Sequence, residues 1–225
     1  MTIRNLQFAF TPSSVAVIGA SPRRGSVGSV VLGNIVGGGF TGAIYPVNPK
    51  YEAMVGLRCY HRVEDLPTAP ELAIIVTPAP TVPGLIAELG ERGTKVAVVI
   101  TAGIGEVDGL RQKMLDAAKP YLMRIIGPNT IGLLSPRVGL NASFVHLTPS
   151  LGRLGLISQS GAMVASTGAN SYANISLASR EAKLSGATRN FSSVSEADFC
   201  PLRAAAVPYS PVARWPVISS MQIRK

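Results

Sequence analysis

The sequence is poor in cysteine, in aromatic residues and in charge, and each shortage argues against a class of protein. Its two cysteines, Cys59 and Cys200, lie far apart without a paired spacing, which indicates a reducing, cytoplasmic location and no metal site. Aromatic residues make up 6% of the chain while glycine occurs 23 times. This balance favours a layered α/β protein over a β-sandwich.

Long hydrophobic runs and acidic residues are also scarce. No apolar run reaches the roughly 18 residues of a membrane span, so we expect no membrane partner. The N-terminal stretch could pass for a signal peptide, but TPSS interrupts it, and SVAVIGA fits a first strand better. The net charge of +9 is spread along the chain without a basic block or interleaved aromatics. We therefore expect an anionic small ligand rather than a nucleic acid.

Apolar runs and helical patterns alternate through the first part of the chain. Continuously apolar runs are typical of strands buried on both faces of a parallel sheet, and they cover 13–19, 42–48, 72–77, 95–101 and 123–128. Helices are predicted over 26–36, with Ser26 as the candidate cap, 82–93 and 109–122. Their predicted buried faces contain Leu85, Ile86 and Leu89 in the second helix and Leu110, Met114, Leu115 and Ala118 in the third. The alternation predicts βαβ units and a Rossmann-like parallel sheet.

The character of the sequence changes after Pro149. The run 154–158 is a further candidate for a buried strand, and the SQSG turn after it would open a second α/β domain. From Ser166 onward the helical spacing fades. We therefore predict three parts: a Rossmann-like domain over 8–145, the truncated start of a second domain over 150–165, and an atypical tail over 166–225 that is either disordered or frameshifted.

The turn after the first predicted strand, GASPRRGSVG at 19–28, carries the clearest ligand signal. Ligands of an open parallel sheet bind at the carboxyl ends of its strands. The turn opens a helix whose N-terminal amides attract phosphate, and Arg23 and Arg24 can each bind phosphate oxygens through two hydrogen bonds. The loop is longer than the G-x-G-x-x-G loop of NAD domains. The predicted phosphate site comprises Gly19, Arg23, Arg24, Gly25, Ser26 and Gly28.

The turn after the second predicted strand, VNPK, argues against NAD. A NAD site has an acidic residue here to bind the ribose hydroxyl, whereas this chain has Asn48 and Lys50. A lysine favours a phosphorylated ribose. The candidates are therefore NADP and coenzyme A, which carries a 3′-phosphate.

The later turns carry weaker signals. In TPAP, Thr77 and Pro78 begin an extended turn that is either an apolar ledge for adenine or pantetheine or a rigid connection. The glycines of TAGIGE (101–106) allow the backbone to approach a ligand closely. Asn129 in GPNTIG either donates a hydrogen bond to a ligand or caps a turn.

Six motifs in fixed order resemble the CoA-binding domain of NDP-forming acyl-CoA synthetases. They are VAVIGASPRRGSVG, IYPVNPKYE, VTPAP, VVITAGIGE, IIGPNTIGLLSP and GLISQSGAM, and together they cover about residues 8–165. This family includes ADP-forming acetate–CoA ligase and is similar to the α subunit of succinyl-CoA synthetase. The same module also occurs fused in bacterial protein acetyltransferases. The resemblance implies a Rossmann-like domain, a flavodoxin-like domain after it, and coenzyme A as the ligand. It implies CoA contacts from Ser21 to Gly25, at Lys50, and at Ile100, Thr101 and Ala102.

The resemblance also implies where the catalytic parts of such an enzyme lie. In the family, a histidine of the second domain becomes phosphorylated, and the SQSG turn holds its phosphate; Ser158, Ser160 and Gly161 match that turn. His61 and His146 match no family position, and we expect both to be surface or structural residues. The sequence contains no ATP-grasp domain. We therefore expect binding of CoA or acyl-CoA without a complete ligase, and an ATP-grasp β-subunit or further domains as partner.

Other functions remain open at this point. The chain could be a working subunit of a ligase or a protein acetyltransferase that another chain completes, a CoA-responsive switch, or an NADP-dependent oxidoreductase domain. Ser160 has no positioned His/Asp pair to activate it. Cys59 has His61 two residues on but no orienting acid. We predict no catalytic residue in this chain.

Overall fold

A parallel five-stranded sheet forms the centre of the computed structural model, which describes residues 4–105, 109–145, 151 and 155–158. In chain order the elements are α1 (Gln7–Phe10), β1 (Ser14–Ile18), α2 (Val27–Gly37), β2 (Ala43–Val47), β3 (Ala53–Met54), β4 (Leu57–Arg58), β5 (Leu72–Ile75), α3 (Val82–Arg92), β6 (Val96–Val99), α4 (Leu110–Ala118), β7 (Arg124–Ile126), β8 (Gly132–Ser135) and β9 (Leu140–Ser143). The five strands predicted before Pro149 and the three predicted helices are confirmed. No helix in the described part of the chain is long and apolar enough to cross a membrane.

The strand order is β2-β1-β5-β6-β7, and all four pairings are parallel. From β1 the chain first moves to β2 on one side and then returns to add β5 on the other side. This change of direction creates a crevice at the carboxyl ends of β1 and β5, where ligands of such sheets bind. The Rossmann-like fold class is confirmed.

Two apolar layers hold the sheet, one on each face, as the two-residue period of a strand requires. On one face, Val15, Ile74 and Val98 pack against Leu32 and Ile35 of α2. On the other face, alternate residues of the same strands pack against α3 and α4. The three central strands are buried throughout, but β2 and β7 are partly exposed. The prediction of burial on both faces is therefore wrong for these two edge strands, because each has a neighbour on one side only.

The helix ends follow ordinary capping chemistry. The Ser26 side chain accepts a hydrogen bond from the backbone N–H of Ser29, as predicted. Gly93, with φ of +96°, ends α3 in the left-handed conformation that glycine tolerates. The last helix is shorter than predicted, because the chain tightens into a 3₁₀ turn at Lys119–Tyr121. Leu115 is 43% exposed, so its prediction as a buried residue is wrong; the buried face contains Met114 and Ala118, four residues apart.

Several elements have no counterpart in the sequence-based prediction. These are the short helix α1 and the antiparallel pairs β3–β4 and β8–β9. Conversely, the buried strand predicted at 154–158 is wrong over its described part, since residues 155–158 form no strand and Ile157 is 94% exposed. An apolar run becomes a buried strand only where a sheet offers it an edge.

The fold depends on close contact between the turn after β1 and the start of α2. A Cβ atom on Gly28 would lie 2.3 Å from the carbonyl oxygen of Gly19. Gly19 itself has φ of +92°, and a Cβ atom there would lie 3.0 Å from Cγ2 of Thr77. The two glycines therefore let the helix seat against the end of the strand.

We predict opposite effects on stability for two glycine-to-alanine changes in α2. Gly28→Ala should lower the free energy of unfolding by about 1–3 kcal/mol, because backbone must move to admit the methyl group. Gly33→Ala has open space and should raise it by about 0.5–1 kcal/mol through helix propensity. Urea unfolding measures both. Equal stability of the two variants would contradict the close contact.

Candidate functional site

Two clefts lie at the carboxyl edge of the sheet. The larger, of about 880 Å³, lies between the turns after β1 and β2 and the start of α3. The smaller, of about 600 Å³, lies beside the turns after β5, β6 and β7. Val76, Thr77 and Pro78 line both clefts. The turn after β5 is therefore a shared wall between two neighbouring spaces.

The turn after β1 is shaped by its own serines. The hydroxyl of Ser21 accepts from the backbone N–H of Arg23 at 3.2 Å, and the hydroxyl of Ser26 donates to the Arg23 carbonyl at 2.8 Å. All three residues line the larger cleft. The backbone amides of Val27 and Gly28 have no partner among the hydrogen bonds of the described residues. The turn thus presents a guanidinium group and a helix N-terminus, both attractive to phosphate.

The turn after β2 is tied to the turn after β1 by Asn48. Its side-chain N–H donates to the carbonyl of Ala20 at 2.7 Å, and its Oδ1 accepts from the backbone N–H of Lys50 at 2.9 Å. Both ends of this amide are therefore engaged within the protein. Asn48 lines the cleft chiefly as the residue that fixes the backbone before Lys50.

The larger cleft is predominantly positive. Its wall contains Arg23, Lys50, His61 and Arg62 and, among carboxylates of the described residues, Glu88. His61 was expected to be a surface or structural residue. Its imidazole is 45% exposed, which agrees with a surface position, and it also lines the cleft. Arg62 was missed altogether. Both residues follow the β3–β4 hairpin, whose two-residue strands are too short for a periodic signal.

The smaller cleft has no charged side chain among its described lining residues. The hydroxyl of Thr101 donates to the carbonyl of Thr77 at 2.7 Å, and the backbone N–H of Asn129 donates to the carbonyl of Thr101 at 3.0 Å. These bonds join the ends of three strands. Asn129 has φ of +57°, a conformation that asparagine tolerates better than most residues. The result is a rigid, neutral wall.

Phe144 lines the smaller cleft and was not among the residues predicted from the sequence. It follows β9, and Asn34 of α2 positions it by donating to the carbonyls of Ser143 and Val145 at 2.9 and 3.0 Å. Val27, at the start of α2, lines the same cleft. The segment after β9 therefore adds an aromatic side chain to a cleft otherwise lined by turns of the sheet edge and the start of α2.

The TPAP segment differs from the extended turn that was predicted. Pro78 is extended, but Ala79–Thr81 form a 3₁₀ turn that leads directly into α3. The hydroxyls of Thr77 and Thr81 lie 2.9 Å apart. Proline at the start of a helical turn loses no hydrogen bond there, which explains why the prolines begin a helix rather than extend the loop.

Most of the predicted site residues come together in the two clefts. The larger contains Gly19, Ser21, Arg23, Ser26, Asn48 and Lys50, the smaller contains Ile100, Thr101, Ala102 and Asn129, and both contain Thr77 and Pro78. Arg24, Gly25 and Gly28 line neither cleft, and their part in binding stays a prediction. Ser158 lies outside both clefts. Ser160, Gly161 and His146 lie outside the described residues.

Comparisons of the sequence with a family model and with curated relatives agree on one family. The family model described as "CoA binding domain" matches residues 13–136. An ADP-forming acetate–CoA ligase from Methanocaldococcus jannaschii is 44% identical over 161 residues, which are 71% of this chain and 23% of that relative. The α subunit of an ADP-forming acetate–CoA ligase I from Pyrococcus furiosus is 40% identical over 71% of this chain and 36% of that subunit.

A solved structure resembles the chain equally clearly. It is a dinucleotide-forming acetyl-coenzyme A synthetase 1 from Ca. Korarchaeum cryptofilum, in complex with phosphate and ADP. The TM-score is 0.70 at 39% identity, over 74% of this chain and 36% of the other. This chain therefore spans 23% to 36% of the length of these proteins.

Cys59 is packed behind the larger cleft rather than exposed in it. It is 3% exposed, and its Sγ lies 3.7 Å from the carbonyl oxygen of Asn48. Burial raises the pKa of the Cys59 thiol above its ordinary value. The nearby His61 pairs with Glu52 at 3.1 Å. The reactive form of cysteine is the thiolate, so this environment opposes a nucleophilic role.

The described residues also hold no group of three or more His, Cys, Asp or Glu suited to a metal ion.

We predict that Cys59 is unreactive in the folded protein. The measurement uses a chain carrying Cys200→Ser, in which Cys59 is the remaining thiol. Iodoacetamide should alkylate Cys59 at least about tenfold more slowly in the folded protein than in the protein unfolded in urea at the same pH, because the folded thiol is buried and holds its proton. The folded-state rate should rise only at pH values above those at which the unfolded thiol ionises. Equal folded and unfolded rates near pH 7 would contradict this environment.

Proposed function

The chain belongs to the CoA binding domain family, and on that premise we propose that it binds coenzyme A or an acyl-CoA across its two clefts. The observation that carries the proposal is the difference in charge between neighbouring spaces. One wall is lined by four basic side chains, and the other by none in the described residues. Coenzyme A divides in the same way, into a nucleotide end with three phosphate groups and an uncharged pantetheine arm.

The nucleotide end belongs in the larger cleft. Arg23 and the N-terminus of α2 would hold the diphosphate, because a guanidinium group and free helix amides both donate to phosphate oxygens. Lys50 would meet the 3′-phosphate, since it follows the strand whose end faces the ribose in sheets of this kind. Glu88 is the one carboxylate of the described wall, so the balance of charge favours an anion.

The pantetheine arm belongs in the smaller cleft. Its amides require a few polar partners and otherwise neutral surface, which Thr77, Thr101 and the backbone around Ala102 offer. Phe144 and Val27 provide apolar contact. The shared wall at Thr77–Pro78 lets one extended ligand pass from the charged space to the neutral one.

We also propose that this site serves an ADP-forming acyl-CoA ligase whose chemistry is completed elsewhere. The support is the likeness to acetate–CoA ligases, among them a separate α subunit, together with the lack of an activated nucleophile in the described clefts. Acyl-CoA formation should then require an ATP-grasp domain and a phosphohistidine domain, supplied either by additional sequence of the same protein or by a partner protein. Turnover of acetate, ATP and CoA by the chain alone would overturn this second proposal and leave CoA binding intact.

Calorimetric titration with CoA, dephospho-CoA and NADP tests the binding proposal directly. We expect binding of CoA, weaker binding of dephospho-CoA, and weaker or no binding of NADP, which carries its ribose phosphate at a different position. Tight NADP binding with none of CoA would overturn the proposal and favour the oxidoreductase alternative. Binding of none of the three would also overturn it.

Lys50→Ala should weaken CoA binding by about 1–3 kcal/mol, through loss of a charge-assisted contact. Lys95→Ala is the matched control, because Lys95 precedes β6 at the opposite edge of the sheet and is also exposed. The control removes the same charge and should leave the affinity nearly unchanged. Equal losses in both variants, or none in either, would remove Lys50 from the site.

Ala102→Trp should fill part of the smaller cleft and so distinguish binding of the pantetheine arm from binding of the nucleotide end. We expect at least about tenfold weaker CoA binding, because overpacking a preformed pocket costs about 1–3 kcal/mol. Adenosine 3′,5′-bisphosphate, which has no pantetheine arm, should bind as it does to the unchanged chain. Its affinity is measured by the same titration. Equal loss for both ligands would contradict the placement of the arm.

A further inference from the structure

His61 and Arg62 emerge beside Lys50, on a separate segment of chain. Tyr60 forms a parallel bridge with Val47, the last residue of β2. The backbone N–H of Asn48 donates to the carbonyl of Tyr60 at 2.9 Å. The residues after Tyr60 therefore run alongside the turn that carries Lys50, in the same direction and past the same sheet edge. Both segments line the larger cleft.

The segment that follows is held firmly in place. The backbone N–H of Arg62 donates to Oδ2 of Asp65 at 3.0 Å, and Val63 is 1% exposed. Arg92 of α3 donates through Nη1 and Nη2 to the carbonyls of Glu64 and Leu66, at 2.8 and 2.6 Å. The backbone on both sides of the His61–Arg62 pair is thus tied to β2 and to α3. Two polar side chains are presented from a preformed support.

Each of these side chains rests on an exposed carboxylate. His61 Nε2 lies 3.1 Å from Glu52, and Arg62 pairs with Glu64. The two glutamates are 87% and 64% exposed. Ion pairs at such exposure contribute little to stability because water competes for both charges. A phosphate, with more charge and three acceptor oxygens, can displace a carboxylate at small cost.

We propose that His61 and Arg62 complete, with Lys50, the binding site for the ligand's 3′-phosphate, and that Glu52 and Glu64 are resting partners which this phosphate displaces. The inference rests on the proposed function, because it assigns residues to one phosphate of the CoA ligand. Arg62 supplies a permanent cation and His61 an N–H donor. The site selects ligands with a phosphate on the ribose.

The test compares CoA with dephospho-CoA, which lacks only the 3′-phosphate, on the full chain. His61→Gln and Arg62→Gln should each weaken CoA binding by about fivefold to tenfold and leave dephospho-CoA binding nearly unchanged, because only one contact to phosphate is lost. Arg62→Lys should retain most of the discrimination. Glu52→Gln should strengthen CoA binding by about twofold, because it removes the competing carboxylate.

Arg58→Gln is the matched control. Arg58 precedes the same segment, lies 5.3 Å above the Tyr60 ring, lines neither described cleft, and loses the same charge on substitution. It should leave the CoA to dephospho-CoA ratio unchanged. Circular dichroism confirms that each variant is folded.

The outcomes separate this inference from the proposed function. A reduced ratio in the His61 and Arg62 variants, but not in Arg58→Gln, supports it. If the unchanged chain binds CoA and the His61 and Arg62 variants keep its ratio, the assignment of these residues is overturned while CoA binding stands. Equal weakening of both ligands would reveal a structural defect and also overturn it. If the unchanged chain does not bind CoA, both proposals fall.

Discussion

The contact between Gly19 and Gly28 is the constraint on which both clefts depend. It sets the distance between the end of β1 and the start of α2, because a Cβ atom on Gly28 would lie 2.3 Å from the carbonyl oxygen of Gly19. That distance brings the first amides of α2 to the edge of the sheet, where the larger cleft begins. It also places Val27, the first residue of the helix, in the wall of the smaller cleft. A helix seated one methyl group further out would alter both spaces at once.

From this contact outward, side-chain hydrogen bonds join neighbouring loops at the edge of the sheet. Asn48 joins the turns after β1 and β2, and Thr101 joins the turns after β5 and β6. Side chains that have internal partners lose little freedom when a ligand arrives, so binding need not order these loops. The basic side chains of the larger cleft are different, because they are exposed and can adjust to a phosphate. The site thus combines a fixed frame with adaptable charges.

Much of this arrangement follows from sequence alone. The central strands β1, β5 and β6 are buried on both faces, so their composition shows them directly, and the rule for parallel sheets then places the ligand beyond their carboxyl ends. Gly19, Arg23 and Lys50 were accessible to that reasoning because each follows a recognisable strand. Arg24 was not separable from Arg23, since neighbouring loop residues share one sequence context, although only Arg23 lines the larger cleft. The partial exposure of β2 and β7, and the exposure of Leu115, depend on which elements pack beside them, and a local sequence pattern does not show this.

The three cleft-lining residues that the sequence did not assign to a binding site share a single cause. His61, Arg62 and Phe144 follow antiparallel pairs whose strands are only two to four residues long. Such strands are stabilised by where they lie against the sheet and helices, not by their own periodicity. The place of His61 in the cleft wall depends on the bridge between Val47 and Tyr60, which joins residues thirteen positions apart. A basic residue of the cleft wall is therefore predictable where it directly follows a long strand. It is not predictable where a tertiary contact places it in the wall. This difference matters for function. Residues that follow the long strands form the frame common to such sheets, whereas residues placed by tertiary contacts can determine which phosphorylated ligand is preferred.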